Sequence, residues 1–198
     1  MTQIENLFAQ LDAIERAPVA RWHPRESLDI GLRVDADGQW RCRGSTIARA
    51  RMVKLFGSVL RLDADGRHYL VTPRVKYPVA VADAPFRAVE LRRRKSGRAQ
   101  ELFFRTNMDD VVRADREHPI QVRAGPAPYV EVRDGLQAKI TRAVYYELTE
   151  LLETLGEREA RDEVNRDGED DGDESGDEDG EVLGVYSAGE FFLFGRAR

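Results

Sequence analysis

The sequence predicts an α+β protein built from two similar units, each containing antiparallel strands and one helix. Short apolar-alternating segments separated by Asp-Gly and Ser-Gly pairs are typical of strands joined by tight turns. Two other stretches have apolar residues at helical spacing, and the order strand, glycine, helix, hairpin occurs twice. The chain has 198 residues of which 41% are hydrophobic, which is sufficient for a buried core.

An amphipathic helix is predicted at the N-terminus, over residues 1–20. Thr2 and Glu5 have the spacing of a capping box, in which each side chain bonds a free backbone N–H of the first turn. Pro18 ends the helical pattern. The apolar stripe comprises Ile4, Leu7, Phe8, Leu11 and Ile14.

The first α+β unit is predicted over residues 21–98. A strand from Ile30 to Val34 turns at Asp37-Gly38 into a second strand, Gln39 to Arg43. Gly44-Ser45 then ends that strand, and a helix is expected from Ile47 to Leu60 with Ser45 or Thr46 as its N-cap. The remaining strands are predicted at 61–62, 69–71, 75–81 and 86–93.

The second α+β unit is predicted over residues 99–198 and repeats this order. After a strand at 99–105, Tyr129 to Val132 form another strand that ends at Asp134-Gly135. A helix is then expected from Leu136 to Leu155, and a final hairpin at 183–186 and 190–194. Aligning Ile47-Ala-Arg49 with Ile140-Thr-Arg142 places Met52 over Tyr145 and Leu55 over Leu148, which indicates an internal duplication.

The charge of the chain is distributed unevenly. Ten acidic residues and no basic residue lie between Asp167 and Glu181, and without them the formal net charge changes from -5 to +5. Closely spaced like charges separated by glycines predict a disordered acidic insert over about 157–181. Two interpretations remain open: a solvated insert with no function, or a segment that engages a basic surface.

Catalytic and cofactor motifs are absent from the sequence. It contains no glycine-rich phosphate loop, no Gly-x-Ser-x-Gly elbow and no His-Glu-x-x-His pattern. The three histidines, His23, His68 and His118, lack metal-ligand spacing, and Cys42 is the single cysteine, expected to be buried and structural. The two Asp-Ala-Asp-Gly segments are interpreted as hairpin turns. We therefore expect no cofactor and no metal, and we favour a non-enzymatic protein over an enzyme.

Partners and location follow from the basic and apolar residues. Arg92 to Lys95 and Arg98 place five cations in seven residues at a hairpin tip, but no aromatic platform accompanies them, so nucleic acid is not the expected partner. No apolar run approaches the roughly 20 residues that span a membrane, and no secretory signal is visible, so a cytoplasmic protein is expected.

Candidate ligand-binding residues are polar side chains at helix starts and strand ends. Arg49 and Arg142 each lie early in a helix that is otherwise apolar. Such an arginine either reaches solvent or faces inward, where it pairs with a carboxylate or an anionic ligand. The other candidates lie at strand ends or bends, where they either line a cleft or cap a turn: Thr72, Lys76, Thr106 and Asn107.

A series of motifs carries a resemblance to a known family. In order, they include Trp22-His-Pro, Gly44-Ser-x-Ile47-x-Arg49, Met52-Val-Lys-Leu-Phe56, Leu70-Val-Thr-Pro73, Asp83-Ala-Pro-Phe86, Thr106-Asn107, Pro128-Tyr129, Arg142-Ala-Val-Tyr-Tyr and Ser187-x-Gly189-x-Phe-Phe192. This series resembles the bacterial family called domain of unknown function 1285. The resemblance implies two half-barrel units, and a ligand- or partner-binding role in signal transduction. The chain departs from the family pattern near Val75, where a glutamate is usual, and in the acidic insert.

Three functions are therefore carried forward. The leading one is a non-enzymatic module that binds a small anion or a protein segment where two curved sheets meet. An enzyme acting on a phosphorylated or carboxylated small substrate is the first alternative, and it requires titratable groups that converge within hydrogen-bond reach. An interaction scaffold that uses the acidic segment is the second.

Overall fold

The computed structural model describes residues 18–123, 127–156 and 181–196. Across these residues the protein is a mostly-sheet α+β structure with two α-helices. Neither of them is long enough or apolar enough to cross a lipid bilayer. The helix predicted over 1–20 and the acidic insert predicted over 157–181 lie almost entirely outside the described residues.

Two compact units divide the chain. The first unit comprises Met1–Arg87, Asn107–Asp110 and Val132–Ala138. The second unit comprises Ala88–Thr106, Val111–Glu131 and Lys139–Arg198. The first unit therefore includes two short segments from later in the sequence.

The first sheet curls into a half-barrel of six strands in the order β4-β3-β2-β7-β6-β5, and a short strand, β1, pairs with β7. Its strands are β1 (Glu26–Ser27), β2 (Leu32–Val34), β3 (Trp40–Cys42), β4 (Ser45–Thr46), β5 (Leu60–Leu62), β6 (His68–Val71) and β7 (Val75–Val81). β7 pairs parallel with β1 and β2, and all other pairs of this sheet, including β6 with β7, are antiparallel. Helix α1 (Ala50–Ser58) connects β4 to β5 and buries Phe56, whose ring lies 5.7 Å from that of Trp40.

The second sheet is a similar six-stranded half-barrel with the order β10-β9-β8-β13-β12-β11. Its strands are β8 (Phe86–Arg94), β9 (Glu101–Thr106), β10 (Val111–Arg113), β11 (Ile120–Val122), β12 (Pro128–Arg133) and β13 (Leu136–Ile140). Helix α2 (Arg142–Thr149) follows it. A third, three-stranded sheet is then formed by β14 (Glu153–Gly156), β15 (Glu181–Ser187) and β16 (Glu190–Arg196). These sheets confirm the predicted α+β class and its half-barrel architecture.

The two Asp-Ala-Asp-Gly segments are hairpin turns, as predicted. In each turn the glycine N–H donates to the carbonyl of the first aspartate, at 2.8 Å for Gly38 and 2.9 Å for Gly66. Both glycines have positive φ, 82° and 74°, a conformation that costs glycine little because it has no Cβ.

The helix predicted over Leu136 to Leu155 is wrong at both ends, because residues 136–140 form β13 and residues 153–155 belong to β14. Asp134 and Gly135 have φ values of 46° and 76°, the pair of left-handed residues that makes a two-residue hairpin turn. The chain therefore returns as a strand, and α2 begins only at Arg142.

The start of the first helix is corrected for the same reason. Arg43 and Gly44, with φ of 49° and 84°, form a left-handed turn like that at Asp134-Gly135. Ser45 and Thr46 consequently pair with β3 instead of capping a helix. The N-cap of α1 is Arg49. The repeated order is thus strand, left-handed turn, strand, helix.

The proposed alignment of the two helices is shifted by one residue. Met52 and Phe56 are the buried large side chains of α1, and Val144 and Leu148 are those of α2. Burial therefore places Met52 over Val144 instead of Tyr145, and Phe56 over Leu148.

Candidate functional site

An open groove of about 500 Å³ lies on the first unit, along β2, β7 and β6. Arg33 on β2 is the register partner of Ala80 on β7, and His68 on β6 is the partner of Val79. This pairing brings residues from three separate parts of the sequence to one place. The polar side chains along the groove are Asp29, Arg33, Arg67 and His68. We call it the first-unit groove.

The charges along the first-unit groove leave a positive surplus. Arg33 contacts Asp35 at 2.9 Å, but its side chain is 53% exposed, so this pair is worth little in water. The guanidinium of Arg67 lies over the ring of Tyr69. Asp29, the one carboxylate of the lining, accepts a hydrogen bond from the Gly31 N–H at 2.7 Å. Both arginines therefore have capacity for an external anion.

His68 is the half-buried polar group of this groove. Burial lowers the pKa of its imidazole below the usual 6.5, because desolvation disfavours the charged form. The side chain is thus neutral at pH 7, with one nitrogen that donates a hydrogen bond and one that accepts. It lines the same groove as the two arginines.

A second polar group, which we call the Asp63 cluster, lies at the β5–β6 hairpin of the same unit. Asp63 accepts hydrogen bonds from Arg61 Nε at 2.6 Å and from Lys76 Nζ at 2.7 Å. Tyr69 donates its hydroxyl to Asp65 at 2.8 Å. The Lys76 ammonium lies 4.0 Å from the centre of the Tyr69 ring. Titratable groups therefore converge within hydrogen-bond reach here.

The pKa shifts in the Asp63 cluster run away from neutrality. Burial opposes ionisation of Asp63, but hydrogen bonds from Arg61 and Lys76 outweigh it and lower the carboxyl pKa. The hydrogen bond to Asp63 raises the pKa of Lys76, and the one to Asp65 raises that of Tyr69. Proton transfer at neutral pH needs pKa values near 7, so these shifts oppose the acid–base chemistry that the enzyme alternative requires.

The contacts of Arg61 indicate a structural role for the cluster. Its Nη1 donates to the backbone carbonyls of Val19 at 3.1 Å and Trp22 at 2.7 Å. These bonds fasten the 3₁₀ turn Val19–Arg21 to β5. Asp63 holds the guanidinium in the orientation that makes both bonds.

The structure places the predicted ligand residues Arg49 and Arg142 at helix starts, on the first and second units respectively. Both side chains are exposed. Arg142 donates to the hydroxyl of Tyr146 from Nη2 at 2.8 Å and from Nε at 3.1 Å. The outward orientation is thus the one observed for both arginines, and their ligand-binding role stays a prediction.

The other four predicted residues each make a local contact. Thr72 is 1% exposed, and its hydroxyl donates to the Val75 carbonyl at 2.7 Å, which closes the turn between β6 and β7. Asn107 accepts from the Arg87 N–H at 3.0 Å. Thr106 is fully buried on β9. Lys76 belongs to the Asp63 cluster and lies opposite Val71, the neighbour of Thr72. The role of all four as ligand residues also stays a prediction.

Sequence reasoning missed Arg33 and Arg67, and it treated His68 as a lone histidine. Arg33 is the polar residue between buried Leu32 and Val34, so alternation alone placed it on the outer side of β2. The parallel pairing of β2 with β7, which places Arg33 opposite Ala80 and one residue along β7 from the partner of His68, has no local signal in the sequence.

Cys42 is half-buried, and its thiol donates to the Ile30 carbonyl at 3.2 Å. Burial raises the pKa of this thiol, which keeps it in the unreactive protonated form. Within the described ranges, no three side chains of histidine, cysteine, aspartate or glutamate converge in a way that would hold a metal ion.

Comparisons with known proteins agree on one family. Residues 17–84 match the model "Domain of unknown function (DUF1285), N-terminal domain", and residues 85–170 match "Protein of unknown function (DUF1285), C-terminal domain". The chain is similar to the crystal structure of a DUF1285 family protein from Silicibacter pomeroyi, at 32% identity and a TM-score of 0.80, covering 100% of this chain and 97% of that one.

A second crystal structure, of a DUF1285 family protein from Shewanella baltica, is 26% identical with a TM-score of 0.50. The similarity covers 61% of this chain and 91% of that one. No curated protein matches the chain.

Proposed function

The chain belongs to the DUF1285 family, and we propose that it is a non-enzymatic binding module whose first-unit groove takes a small anionic ligand. One observation carries the proposal. Arg33, Arg67 and His68 line a single open groove, and Asp29 is the one carboxylate of its lining.

The chemistry of these side chains fits a phosphate or carboxylate group. A guanidinium presents several N–H donors in a planar fork, which matches two oxygens of an anion at once. The neutral imidazole of His68 adds one donor, or takes a proton when the anion approaches. A volume of about 500 Å³ is in the range of roughly 300–1,000 Å³ typical of small-molecule sites.

A role in binding instead of catalysis is supported by the Asp63 cluster. The pKa of Asp63 is lowered and that of Lys76 is raised, so both groups are charged at pH 7, and the cluster holds a backbone segment in place. The regulatory role in signal transduction implied by the family resemblance, and the cytoplasmic location expected from the sequence, are part of this proposal. Occupancy of the groove would be the signal.

Thermal unfolding with a ligand series tests the proposal. A ligand that binds only the folded state stabilises it by mass action, by about 2.7 kcal/mol at a concentration of 100 Kd. Nucleotides, phosphosugars and dicarboxylates form the series, with the uncharged sugars as controls. At least one anion should raise the Tm of the wild type and should fail to raise that of Arg67→Ala.

Arg49→Ala is the matched control, because it removes an exposed arginine from the same unit outside the groove. It should respond to the anion as the wild type does. If the anion still raises the Tm of both Arg33→Ala and Arg67→Ala but not that of Arg49→Ala, the ligand binds at the position predicted from the sequence. That result would contradict binding in the first-unit groove.

A further inference from the structure

A phenylalanine lies between two arginines on one face of the second sheet. Arg92 on β8, Phe103 on β9 and Arg113 on β10 are register partners in a single row across three strands. Leu102 and Phe104 are both fully buried, so Phe103 projects from the opposite, outer face of β9. We call this surface the arginine–phenylalanine face, and all three of its residues belong to the second unit.

More basic residues than acidic ones surround Phe103 on that face. Arg105, two positions along β9, projects from the same side, and Arg94 and Lys95 lie at the end of the hairpin toward Glu101. Three carboxylates pair with these cations. Glu90 accepts from Arg92 and Arg105 at 2.6 Å each, Glu101 accepts from Lys95 at 3.1 Å, and Asp115 accepts from Arg113 at 3.1 Å.

These ion pairs leave the arginines accessible. The side chain of Arg92 is 79% exposed and that of Arg113 is 46% exposed. Ion pairs at such exposure contribute little free energy, because water screens them and ordering the side chains costs entropy. A guanidinium of this kind exchanges its carboxylate for a phosphate at low cost.

We propose that the arginine–phenylalanine face binds single-stranded nucleic acid, with a base stacked on the Phe103 ring and the flanking phosphates bound by Arg92 and Arg113. Neighbouring strands are about 4.8 Å apart, so the two arginines start about 10 Å apart on either side of the ring. A stacking ring within a positively charged surface is the arrangement that single strands recognise, because every base has a π-face and every linkage a negative charge.

The ring distinguishes this partner from other anions. A duplex keeps its bases paired and stacked internally, so it has no free base for Phe103. An acidic peptide would use the arginines but gains nothing specific from the ring. The basic hairpin tip was recognised in the sequence, whereas the aromatic residue beside it became apparent only from the strand register.

Fluorescence anisotropy of the full chain with a labelled 12-nucleotide RNA and the same DNA sequence, at low salt, tests the proposal. Phe103→Leu keeps an apolar side chain but removes the π-face, and it should weaken binding about 5- to 100-fold, the loss of one stacked base. Phe103→Tyr restores a ring and should bind as the wild type does. An unchanged Tm shows that both variants fold.

Charge variants provide the second readout. Arg92→Gln and Arg113→Gln should each reduce the slope of log K against log salt by about 0.7, the value for one phosphate contact on a single strand. Arg25→Gln removes the same charge from an exposed position in the first unit, and it should leave the slope for the oligonucleotide unchanged.

Four results would overturn the proposal. The first three are no binding at low salt, equal binding of a duplex, and equal binding of Phe103→Leu and the wild type. The fourth is displacement by a polyglutamate peptide that binds with the same affinity as the oligonucleotide and whose affinity is unchanged in Phe103→Leu. The last result would assign the face to an acidic protein partner.

Discussion

Arg61 donates to the Asp63 carboxylate at 2.6 Å while the side chains of both residues are mostly buried. The same guanidinium donates to the Trp22 carbonyl at 2.7 Å. One aspartate therefore orients the arginine that fastens the segment before β1 to the first sheet. Removing the charge of Asp63 should therefore lower the stability of the protein and the local order of that segment.

Asp63→Asn should lower the free energy of unfolding by about 1–3 kcal/mol at pH 7, because it leaves two charged donors with a weaker acceptor. Urea unfolding measures this loss. Asp37→Asn is the control, because Asp37 accepts only a long backbone bond of 3.3 Å in an exposed turn. An equal loss of stability in both variants would show that the effect comes from replacing an aspartate in a turn of this kind, and not from the ion pair.

The Asp63 contribution should also depend on pH. The folded-state pKa of this carboxyl is lowered, so its contribution is present above the unfolded value of about 3.9 and is lost as the pH falls through the folded value. The difference in stability between wild type and Asp63→Asn should therefore shrink as the pH is lowered from 5 toward 3. A difference that is constant over this range would contradict the assignment.

Gly184→Ala should destabilise the chain by about 1–3 kcal/mol, because a Cβ there would lie 2.6 Å from Cε2 of Phe191 on the neighbouring strand. Both residues belong to the third sheet, and the pairing of β15 with β16 shifts register at this glycine. Gly195→Ala is the matched control, since a Cβ at that position meets nothing within 4 Å. Thermal unfolding should separate the two variants.

Ser187→Ala should lower the free energy of unfolding by about 1–3 kcal/mol, because it removes the hydrogen-bond partner of two buried backbone groups. The Ser187 hydroxyl donates to the Ala114 carbonyl at 2.6 Å and accepts from the Leu102 N–H at 2.9 Å, and the residue is fully buried. Ser58→Ala removes an exposed hydroxyl and should change stability by less than about 0.5 kcal/mol. Comparable Tm values for the two variants would argue against a structural role for Ser187.

Anion binding in the first-unit groove should strengthen as the pH falls from 8 to 6. Burial lowers the pKa of free His68, and a bound anion favours its imidazolium form, so binding takes up a proton. Calorimetry in buffers of different ionisation enthalpy measures this uptake. His68→Gln keeps a donor but cannot titrate, and it should abolish the pH slope. A slope that persists in this variant would place the proton elsewhere.

The acidic segment should compete with external polyanions for the basic surface of the chain. Changing its ten acidic residues, between Asp167 and Glu181, to Asn and Gln should increase oligonucleotide affinity several-fold at low salt. The gain should vanish near 1 M salt, where charges are screened beyond about 3 Å. A scrambled segment of the same composition should bind as the wild type does. Unchanged affinity in the neutralised variant would support the solvated-insert interpretation.

Local chemistry determined most of the strands and turns. Alternating apolar residues and Asp-Gly pairs act within a few residues, so β2, β3, β5 to β9 and the hairpin of β15 and β16 were predictable from the sequence. The five residues from Leu136 to Ile140 were not assigned correctly, although Leu136, Ala138 and Ile140 alternate with polar residues. The prediction gave more weight to their high helix propensity than to this alternation, whereas in the structure the preceding left-handed turn enforces a strand.

Tertiary structure alone decided which side chains meet. The groove depends on the parallel pairing of β2 with β7, which places Arg33 opposite Ala80, more than 40 positions later in the sequence and next to Val79, the register partner of His68. The arginine–phenylalanine face likewise depends on the register of three strands. Such pairings are set by the free energy of the whole buried core, since a one-residue slip would turn every buried side chain of a strand to solvent. No local pattern carries that information.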